Sequence, residues 1–152
     1  MGCRIRQARE SDIDTLARFE AEISAISFAE EAITDLAFHA GKIRKALEKG
    51  GAMFVMESDE RKNEITGWLW MDIKTNFLTQ ERYVNFRSFY IKEDTRGGKE
   101  GGALLQYGLD YCAARGVKSV VGKTHTSNLP MRALYKSMGF KATHITMEYR
   151  LD

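Results

Sequence analysis

The chain has 152 residues, of which 43% are hydrophobic and 29% are charged, and it carries a net charge of +2. A chain of this size is typical of one soluble domain, so residues 1–152 are expected to form a single domain. A net charge of +2 does not by itself imply a nucleic-acid partner, and no apolar run reaches the length of a membrane span.

Cysteine usage and the N-terminus bear on the compartment. Cys3 and Cys112 are far apart and show none of the spacings that are typical of disulfide frameworks or zinc sites. The N-terminus lacks the apolar run of a signal peptide. These observations predict a cytoplasmic protein without a metal site.

The first third of the chain has the periodicity of one strand and two helices. The sequence CRIRQA predicts a strand, and Ser11 is expected to cap the following helix, with Asp14 completing a capping box. A second helix is expected over residues 30–49, ended by Gly50 and Gly51. Its predicted buried face consists of Ile33, Leu36, Ala40, Ile43 and Leu47.

Strands dominate the middle of the chain, and helices and strands alternate after it. The predicted elements are strands over 52–57, 64–73 and 83–92, a helix over 102–115, a strand over 117–124, a helix over 128–138 and a last strand over 140–151. The order β-α-α-β-β-β-α-β-α-β predicts an α/β (α+β) fold. We expect a mixed, mostly antiparallel central sheet with helices on both faces.

The stretch RGGKEGGALL at residues 96–105 has four glycines in seven residues where a strand meets a helix. Glycines let a ligand approach the backbone, and the start of a helix offers free N–H groups and positive partial charge. With Arg96 and Lys99 nearby, this corner favours a phosphate site. Neither the Walker pattern nor the dinucleotide pattern fits, and a β-α turn without a ligand is the alternative.

A second segment, NLPMRALYKSMGF, begins at Asn128. Together the two segments resemble the signatures of the GNAT superfamily, the Gcn5-related N-acetyltransferases. The first signature is met by Ile91, Arg96, Gly101, Leu104 and Leu105. Lys99 stands where the family has a glycine. The second signature is met by Asn128, Ala133, Leu134, Tyr135, Gly139 and Phe140.

The resemblance implies a GNAT fold over the whole chain, with acetyl-CoA as cosubstrate. It implies that the glycine-rich corner holds the pyrophosphate, and that two neighbouring strands splay apart to admit the pantetheine arm. We expect the Lys99 ammonium to reach a phosphate and Glu100 to be solvated. The implied cofactor-binding residues are Ile91, Arg96, Gly97, Gly98, Lys99, Gly101, Gly102, Asn128 and Tyr135.

The resemblance also implies three catalytic groups. Tyr135 is the general acid for the departing thiolate, the backbone N–H near Ile91 stabilises the oxyanion, and Asn128 bonds the CoA arm or a water. Taken without this context, Tyr135 has the pattern of a core aromatic. Asn128 has that of a helix cap, with Pro130 just inside the helix.

A general base is needed because an alkyl ammonium, with a pKa of about 10, must lose a proton before it attacks. Lys123 occupies the position where some relatives have a glutamate, so Asp72, His125 and a water chain are the candidates. The helices on the implied acceptor side are acidic, which suits a cationic amine, although a solvated helix face explains the same charges. These acids are Glu20, Glu22, Glu30, Glu31 and Asp35.

The expected function is an acetyl-CoA-dependent N-acetyltransferase, in which a primary amine of a small molecule or protein attacks the acetyl group directly. The alternative is a GNAT-like module that binds CoA or docks a partner without chemistry. The expected partners are acetyl-CoA and an amine acceptor, without nucleic acid, membrane or metal. A homodimer is left open.

Overall fold

Five strands and four longer helices build the part of the chain that the computed structural model describes, residues 2–28 and 32–151. The strands are β1 (Cys3–Gln7), β2 (Ala52–Ser58), β3 (Glu64–Thr75), β4 (Arg82–Ile91) and β5 (Ser119–Gly122). The helices are α1 (Ile13–Phe28), α2 (Leu36–Glu48), α3 (Glu100–Ala114) and α4 (Leu129–Ser137). None of these helices is both long enough and apolar enough to cross a membrane.

The strands form one sheet in the order β1-β2-β3-β4-β5. The first four strands pair antiparallel in succession, and β5 runs parallel to β4. One apolar cluster joins α1 and α2 to the sheet, and a second cluster joins α3 and α4 to it. The predicted mixed, mostly antiparallel sheet with helices on both faces is therefore confirmed.

Strand β3 shows why the sheet needs helices on both faces. Trp68 and Trp70 belong to the apolar cluster under α1 and α2, whereas Leu69 and Met71 belong to the cluster under α3 and α4. Successive side chains of a strand point to opposite faces, so an unbroken apolar run must be covered on both sides.

Strand β4 contains one extra residue, Arg87, relative to β3. Trp70 pairs with Ser88 and Met71 pairs with Phe86, so Arg87 is the residue inserted at a bulge. A bulge of this kind shifts the alternation of side chains by one place. Phe86 and Ile91 consequently lie in the same apolar cluster, although strict alternation would put residues five apart on opposite faces.

The start of α1 differs from the prediction. Ser11 does not cap the helix but lies inside a short 3-10 turn, Glu10–Asp12, that precedes it. The Asp12 carboxylate accepts the Arg9 N–H at 2.9 Å and two Arg6 nitrogens at 2.8 and 2.9 Å. Burial raises the pKa of Asp12, but these bonds outweigh it and hold the pKa below its usual value. The charge-assisted bonds to Arg6 of β1 are stronger than the neutral hydrogen bond that a serine cap would make.

The second helix begins later than predicted. Asp35 caps it by accepting the Ala37 N–H at 2.9 Å, and residues 32–35 are not helical. The first two residues of the predicted helix, Glu30 and Glu31, lie outside the described residues. An aspartate at the helix start satisfies a free N–H, so it sets the boundary.

The predicted buried face of α2 is correct only in its second half. Ile43 is completely buried, and Ala40 and Leu47 pack against the same cluster. Ile33 and Leu36 are 49% and 46% exposed, because they precede or begin the shortened helix.

The predicted last strand over residues 140–151 is wrong, because these residues form no strand. Phe140 packs against Tyr135 and Phe86, with ring centroids 4.7 and 6.3 Å away. Beyond Phe140 the side chains of residues 141–151 are exposed. An alternating pattern favours a strand, but a strand also needs a neighbouring strand to complete its hydrogen bonds.

Helix α3 approaches the sheet closely at Gly108. A Cβ at this position would lie 2.7 Å from Leu69 Cδ2 and 3.2 Å from Phe86 Cζ. Replacing a helical glycine by alanine normally stabilises by about 1 kcal/mol, but overpacking a core costs about 1–3 kcal/mol. Gly108→Ala is therefore expected to lower the free energy of unfolding in urea titrations, by about 1 kcal/mol.

Gly41→Ala is the matched control for this prediction. Gly41 lies inside α2, and an added Cβ there would meet nothing within 4 Å. We expect this variant to be as stable as the wild type or up to about 1 kcal/mol more stable. Equal stabilisation by the two substitutions would contradict the close approach at Gly108.

Candidate active site

Strand β5 pairs with only the first half of β4. They pair through residues 83–86 of β4 and Ser119–Gly122 of β5, while β4 continues to Ile91. The bulge residue Arg87 directly follows the last paired residue, so the strands part where β4 changes its alternation. Among the described residues, residues 87–91 of β4 therefore have no partner strand on the side of β5, and we call this unpaired side of β4 the gap.

The backbone of β4 presents hydrogen-bond donors to this gap. The Lys92 N–H donates to the Thr66 carbonyl of β3 at 2.8 Å, and alternate N–H groups of a strand point in opposite directions. The N–H groups of Ile91 and Phe89 therefore point away from β3, into the gap. Ile91 was expected from the sequence, whereas Phe89 was missed. Phe89 lies roughly 7 Å nearer to the point where the strands part.

Tyr135 lies at the point where the strands part. Its ring edge touches Gly122, the last residue of β5, and a Cβ added to Gly122 would overlap the ring's Oη and Cζ. The side chain is only 9% exposed and packs on Phe140. Burial raises the pKa of Tyr135 to about 12, so the hydroxyl is protonated at neutral pH. Sequence reasoning missed Gly122, whose small size is recognisable only once its neighbour is known.

Asn128 is the cap of α4. Its side-chain oxygen accepts the Met131 N–H at 3.2 Å, and Pro130 lies in the first turn. The predicted capping role is therefore confirmed. The cap uses the oxygen of the side chain, so it is compatible with ligand binding through the amide nitrogen.

The glycine-rich loop leads into the start of α3. Gly97 has a φ of 89°, in the region that favours glycine, and an added Cβ at Gly97 or Gly102 would meet nothing within 4 Å. Lys99 is exposed and directly precedes the helix. The Glu100 carboxylate folds back onto Gly98, into the place where a Cβ would lie. Glu100 is thus half-buried against the loop, whereas a solvated side chain was expected.

Arg96 of the loop and Gly101 in the first turn of α3 are held by contacts within the protein. A Cβ at Gly101 would lie 3.5 Å from Leu134 and 3.8 Å from Ile91, so small size at this position also serves the packing of α3. The Arg96 Nε donates to the Ile91 carbonyl at 2.6 Å, and the guanidinium lies 5.2 Å from the Tyr90 ring centre. Arg96 therefore ties the start of the loop to the end of β4.

The two side chains considered as general bases, Asp72 and His125, both interact with neighbouring residues. Asp72 lies 3.7 Å from the Arg87 guanidinium, which also stacks 4.0 Å over the Trp70 ring. His125 Nδ1 accepts the Ser127 N–H at 3.1 Å, which places the proton of the neutral ring on Nε2. The Nδ1 lone pair of His125 is therefore occupied by a hydrogen bond within the loop before α4.

Two acidic residues of α1 bind aromatic side chains of the sheet. Glu20 accepts the Trp68 Nε1–H at 2.7 Å, and the Tyr90 hydroxyl donates a short hydrogen bond to Glu22. Burial, followed by the bond to Glu22, raises the pKa of Tyr90 to about 12. These acids therefore do more than form a solvated face, since they fix aromatics next to the end of β4. Over residues 2–28 and 32–151 we find no cluster of His, Cys, Asp or Glu able to hold a metal.

The unpaired side of β4, the glycine-rich stretch at the start of α3 and the buried Tyr135 lie in an α/β protein with one mostly antiparallel sheet. The sequence matches the acetyltransferase (GNAT) family over residues 13–140. The chain belongs to this family, in agreement with the resemblance of its two signature segments.

Individual relatives carry acetyltransferase names. Human N-acetyltransferase 8 is 35% identical over 96 residues, which are 63% of this chain and 41% of that protein. Mycothiol acetyltransferase of Streptomyces coelicolor is 28% identical over 93 residues, 61% of this chain and 29% of that protein. The match thus spans less than half the length of either relative.

Solved structures share the fold. Glucosamine-6-phosphate N-acetyltransferase from Arabidopsis thaliana superposes with a TM-score of 0.76, covering 100% of both chains at 16% identity. Similarity at this level of identity demonstrates a common fold and leaves the acceptor to other evidence.

Proposed function

We propose that this chain is a single-domain, acetyl-CoA-dependent N-acetyltransferase that acts on a primary amine. The observation that carries the proposal is the position of Tyr135, whose ring lies on Gly122 where β4 and β5 part. The N–H groups of Phe89 and Ile91 open into the same gap. A proton donor and backbone donors around one opening are the groups that acyl transfer requires.

The glycine-rich loop fits the phosphates of acetyl-CoA. The start of α3 supplies N–H groups and positive partial charge, and the open space beside Gly97 and Gly102 lets phosphate oxygens approach the backbone. Lys99 adds a cation at the helix start. Acetyl-CoA supplies the acetyl group as a thioester, and its pantetheine arm would lie along the open side of β4.

The residues of the gap would act on the two atoms where negative charge develops. The N–H groups of Phe89 and Ile91 would donate to the carbonyl oxygen, with Phe89 closer to Tyr135 and hence the principal oxyanion donor. As the amine nitrogen bonds to the carbonyl carbon and the carbon–sulfur bond breaks, the Tyr135 hydroxyl would donate to the departing sulfur.

The proton of the attacking ammonium would leave through water to solvent. His125 uses its Nδ1 lone pair within its own loop, and Asp72 is paired with Arg87. Glu20 and Glu22 lie on the α1 side of the sheet and add negative charge there, which favours a cationic acceptor.

Release of free CoA thiol across a panel of amines tests the proposal. The panel would contain amino acids, polyamines, amino sugars and peptides with a free N-terminus. We expect amine-dependent thiol release with at least one class. Binding of acetyl-CoA without release from any amine would favour the non-catalytic module, and absence of binding would overturn both functions.

Lys99 and Glu100 carry opposite charges beside the loop, so removing each charge is expected to change acetyl-CoA binding in opposite directions. Lys99→Ala is expected to weaken acetyl-CoA binding roughly 2- to 10-fold at low salt, because an exposed cation near phosphate is lost. Glu100→Gln is expected to tighten binding by roughly 2- to 5-fold, because a carboxylate that folds over Gly98 repels phosphate. Calorimetric titrations at two salt concentrations measure both effects, and both should shrink in high salt.

The two variants also test whether Lys99 assists binding and whether the phosphates bind at this loop. Tighter binding by Lys99→Ala would mean that the lysine obstructs the site. Equal binding by both variants and the wild type would place the phosphates away from this loop.

A further inference from the structure

The turn between β3 and β4, residues 76–81, holds two adjacent large apolar side chains in solvent. Phe77 is 82% exposed and Leu78 is 79% exposed, and we call these two residues the hairpin tip. Strand β3 continues beyond Met71, the last residue that pairs with β2, so the turn extends past that neighbour. Single exposed apolar residues are common, but two together on an extended turn indicate a contact surface.

Hydrogen bonds within the turn fix its conformation. The Asn76 carboxamide oxygen accepts the Leu78 and Thr79 N–H groups at 2.9 and 3.2 Å. The Gln80 N–H donates to the Asn76 carbonyl at 2.7 Å, and the Gln80 side chain donates to the Phe77 carbonyl at 2.8 Å. The outward position of Phe77 and Leu78 therefore belongs to a defined turn.

Three cations surround the base of the hairpin tip. Lys74 is near the end of β3, Arg82 begins β4, and the Lys118 N–H donates to the Arg82 carbonyl at 3.2 Å. Because side chains alternate along a strand, Lys74 shares the sheet face of Trp70, and Arg82 shares the opposite face with Val84. The three side chains are exposed, and none of them forms an ion pair with a described residue.

Acidic residues near the turn do not cancel this charge. Glu81 lies within the turn and offsets one cation. Asp72 is already compensated by Arg87, whose guanidinium lies 3.7 Å away. Glu48 and Lys49, which precede β2 at the same end of the sheet, cancel each other. The surroundings of the hairpin tip are therefore net positive.

An apolar tip with cations around it suits the surface of an anionic membrane. Two adjacent side chains bury far less than the roughly 800 Å² per partner of a stable protein interface. A bilayer needs no matching pocket, because apolar side chains enter the boundary between headgroups and acyl chains while cations meet lipid phosphates. Such a peripheral contact requires no membrane-spanning run, so it departs from the expectation that the chain has no membrane partner.

We propose that the hairpin tip inserts into anionic membranes and that Lys74, Arg82 and Lys118 contact the lipid phosphates. Strand β4 begins at Arg82, beside the tip, and ends at Ile91, before the glycine-rich loop. The loop would thus lie at the end of β4 that faces away from the membrane. The proposal is independent of the proposed catalysis, since it concerns the attachment of the chain to a surface.

Sedimentation with lipid vesicles tests the proposal. We expect the full chain to bind vesicles of phosphatidylcholine that contain about one-third phosphatidylserine at low salt. Binding to pure phosphatidylcholine should be at least about 10-fold weaker, because each cation near an anionic surface strengthens binding by about 5-fold. Added salt should reduce the difference between the two kinds of vesicle.

Two variants separate the apolar tip from the cations. Phe77→Ser with Leu78→Ser is expected to weaken binding to the anionic vesicles by about 10-fold or more, because the inserted apolar area is lost. Replacing the three cations by glutamine is expected to weaken it roughly 10- to 100-fold at low salt. All five positions are exposed, so the Tm of each variant should stay near that of the wild type.

Ile26→Ser with Ile33→Ser is the matched control for the loss of apolar surface. These side chains are 60% and 49% exposed and belong to the α1 and α2 side of the chain, away from the turn. The control should bind anionic vesicles as the wild type does.

Phe77→Trp reports the insertion directly. The natural tryptophans, Trp68 and Trp70, are 0% and 3% exposed, so the introduced indole would be the exposed one. Lipids brominated in the acyl chains should quench the fluorescence of the variant and leave that of the wild type nearly unchanged.

Either of two results would overturn the proposal. One is the absence of binding to anionic vesicles at low salt. The other is binding that survives the double serine variant or leaves the fluorescence of Phe77→Trp unquenched, because the contact would then lie elsewhere.

Discussion

The Tyr135→Phe variant is expected to lose about 100-fold in kcat, the low end of the 10²–10⁴-fold typical of general acid catalysis. Only the hydroxyl is removed, and the ring keeps its packing on Phe140. The low end is expected because burial raises the pKa of Tyr135 to about 12, whereas a free thiol has a pKa of about 8.5. A donor that holds its proton this tightly assists the sulfur by hydrogen bonding more than by complete proton transfer.

Steady-state kinetics beside a thermal melt measure this effect. KM for acetyl-CoA and Tm should stay near their wild-type values. Because the raised pKa keeps the hydroxyl protonated, the wild-type kcat should show no loss assignable to Tyr135 below a pH of about 10. A variant that melts normally and turns over at the wild-type rate would exclude Tyr135 from the mechanism.

Gly122→Ala is expected to lower kcat by a similar factor, about 100-fold, through the same hydroxyl. The added methyl would overlap the Tyr135 ring, so the ring must move away from the point where the strands part. Gly122 itself supplies no group for the chemistry and acts by positioning Tyr135. A glycine with free space around it, such as Gly41, should tolerate the same change.

A double-mutant cycle separates positioning from general damage. In the Tyr135→Phe background the hydroxyl is already absent, so Gly122→Ala should cost little further kcat, and the two effects should be strongly non-additive. The KM for acetyl-CoA and the melting temperature of each variant are measured alongside. Fully additive losses would show that Gly122 acts on something other than Tyr135.

Features that depend on nearby residues were predictable from the sequence. The periodicity of the strands and of α3 and α4 gave their positions within a few residues, and the pattern around Asn128 gave its cap. The glycine-rich stretch from Gly97 to Gly102, which spans the end of the loop and the first turn of α3, follows from the same reasoning, because a helix start with glycines is a local property. The roles of Ile91, Arg96, Lys99 and Tyr135 in binding and catalysis stay predictions.

Features of the site that depend on distant residues were not predictable. The contact of Tyr135 with Gly122 joins α4 to β5, and the bulge at Arg87 exists only relative to β3. The donor at Phe89 follows from that pairing, since the direction of an N–H depends on which neighbour the strand has. The hydrogen bond from the Ser127 N–H to His125 Nδ1 was likewise not predictable, because it depends on the conformation of the loop before α4.

The sequence by itself determined the order of most elements, the two signature segments and therefore the family. Tertiary structure alone decided where Ser11 and Ile33 lie and whether residues 140–151 form a strand. The physical reason is that periodicity indicates which side chains would be stabilised by burial. Whether they are buried depends on which surface the fold places against them. An alternating segment such as 141–151 becomes a strand only when the edge of a sheet is available to pair with it.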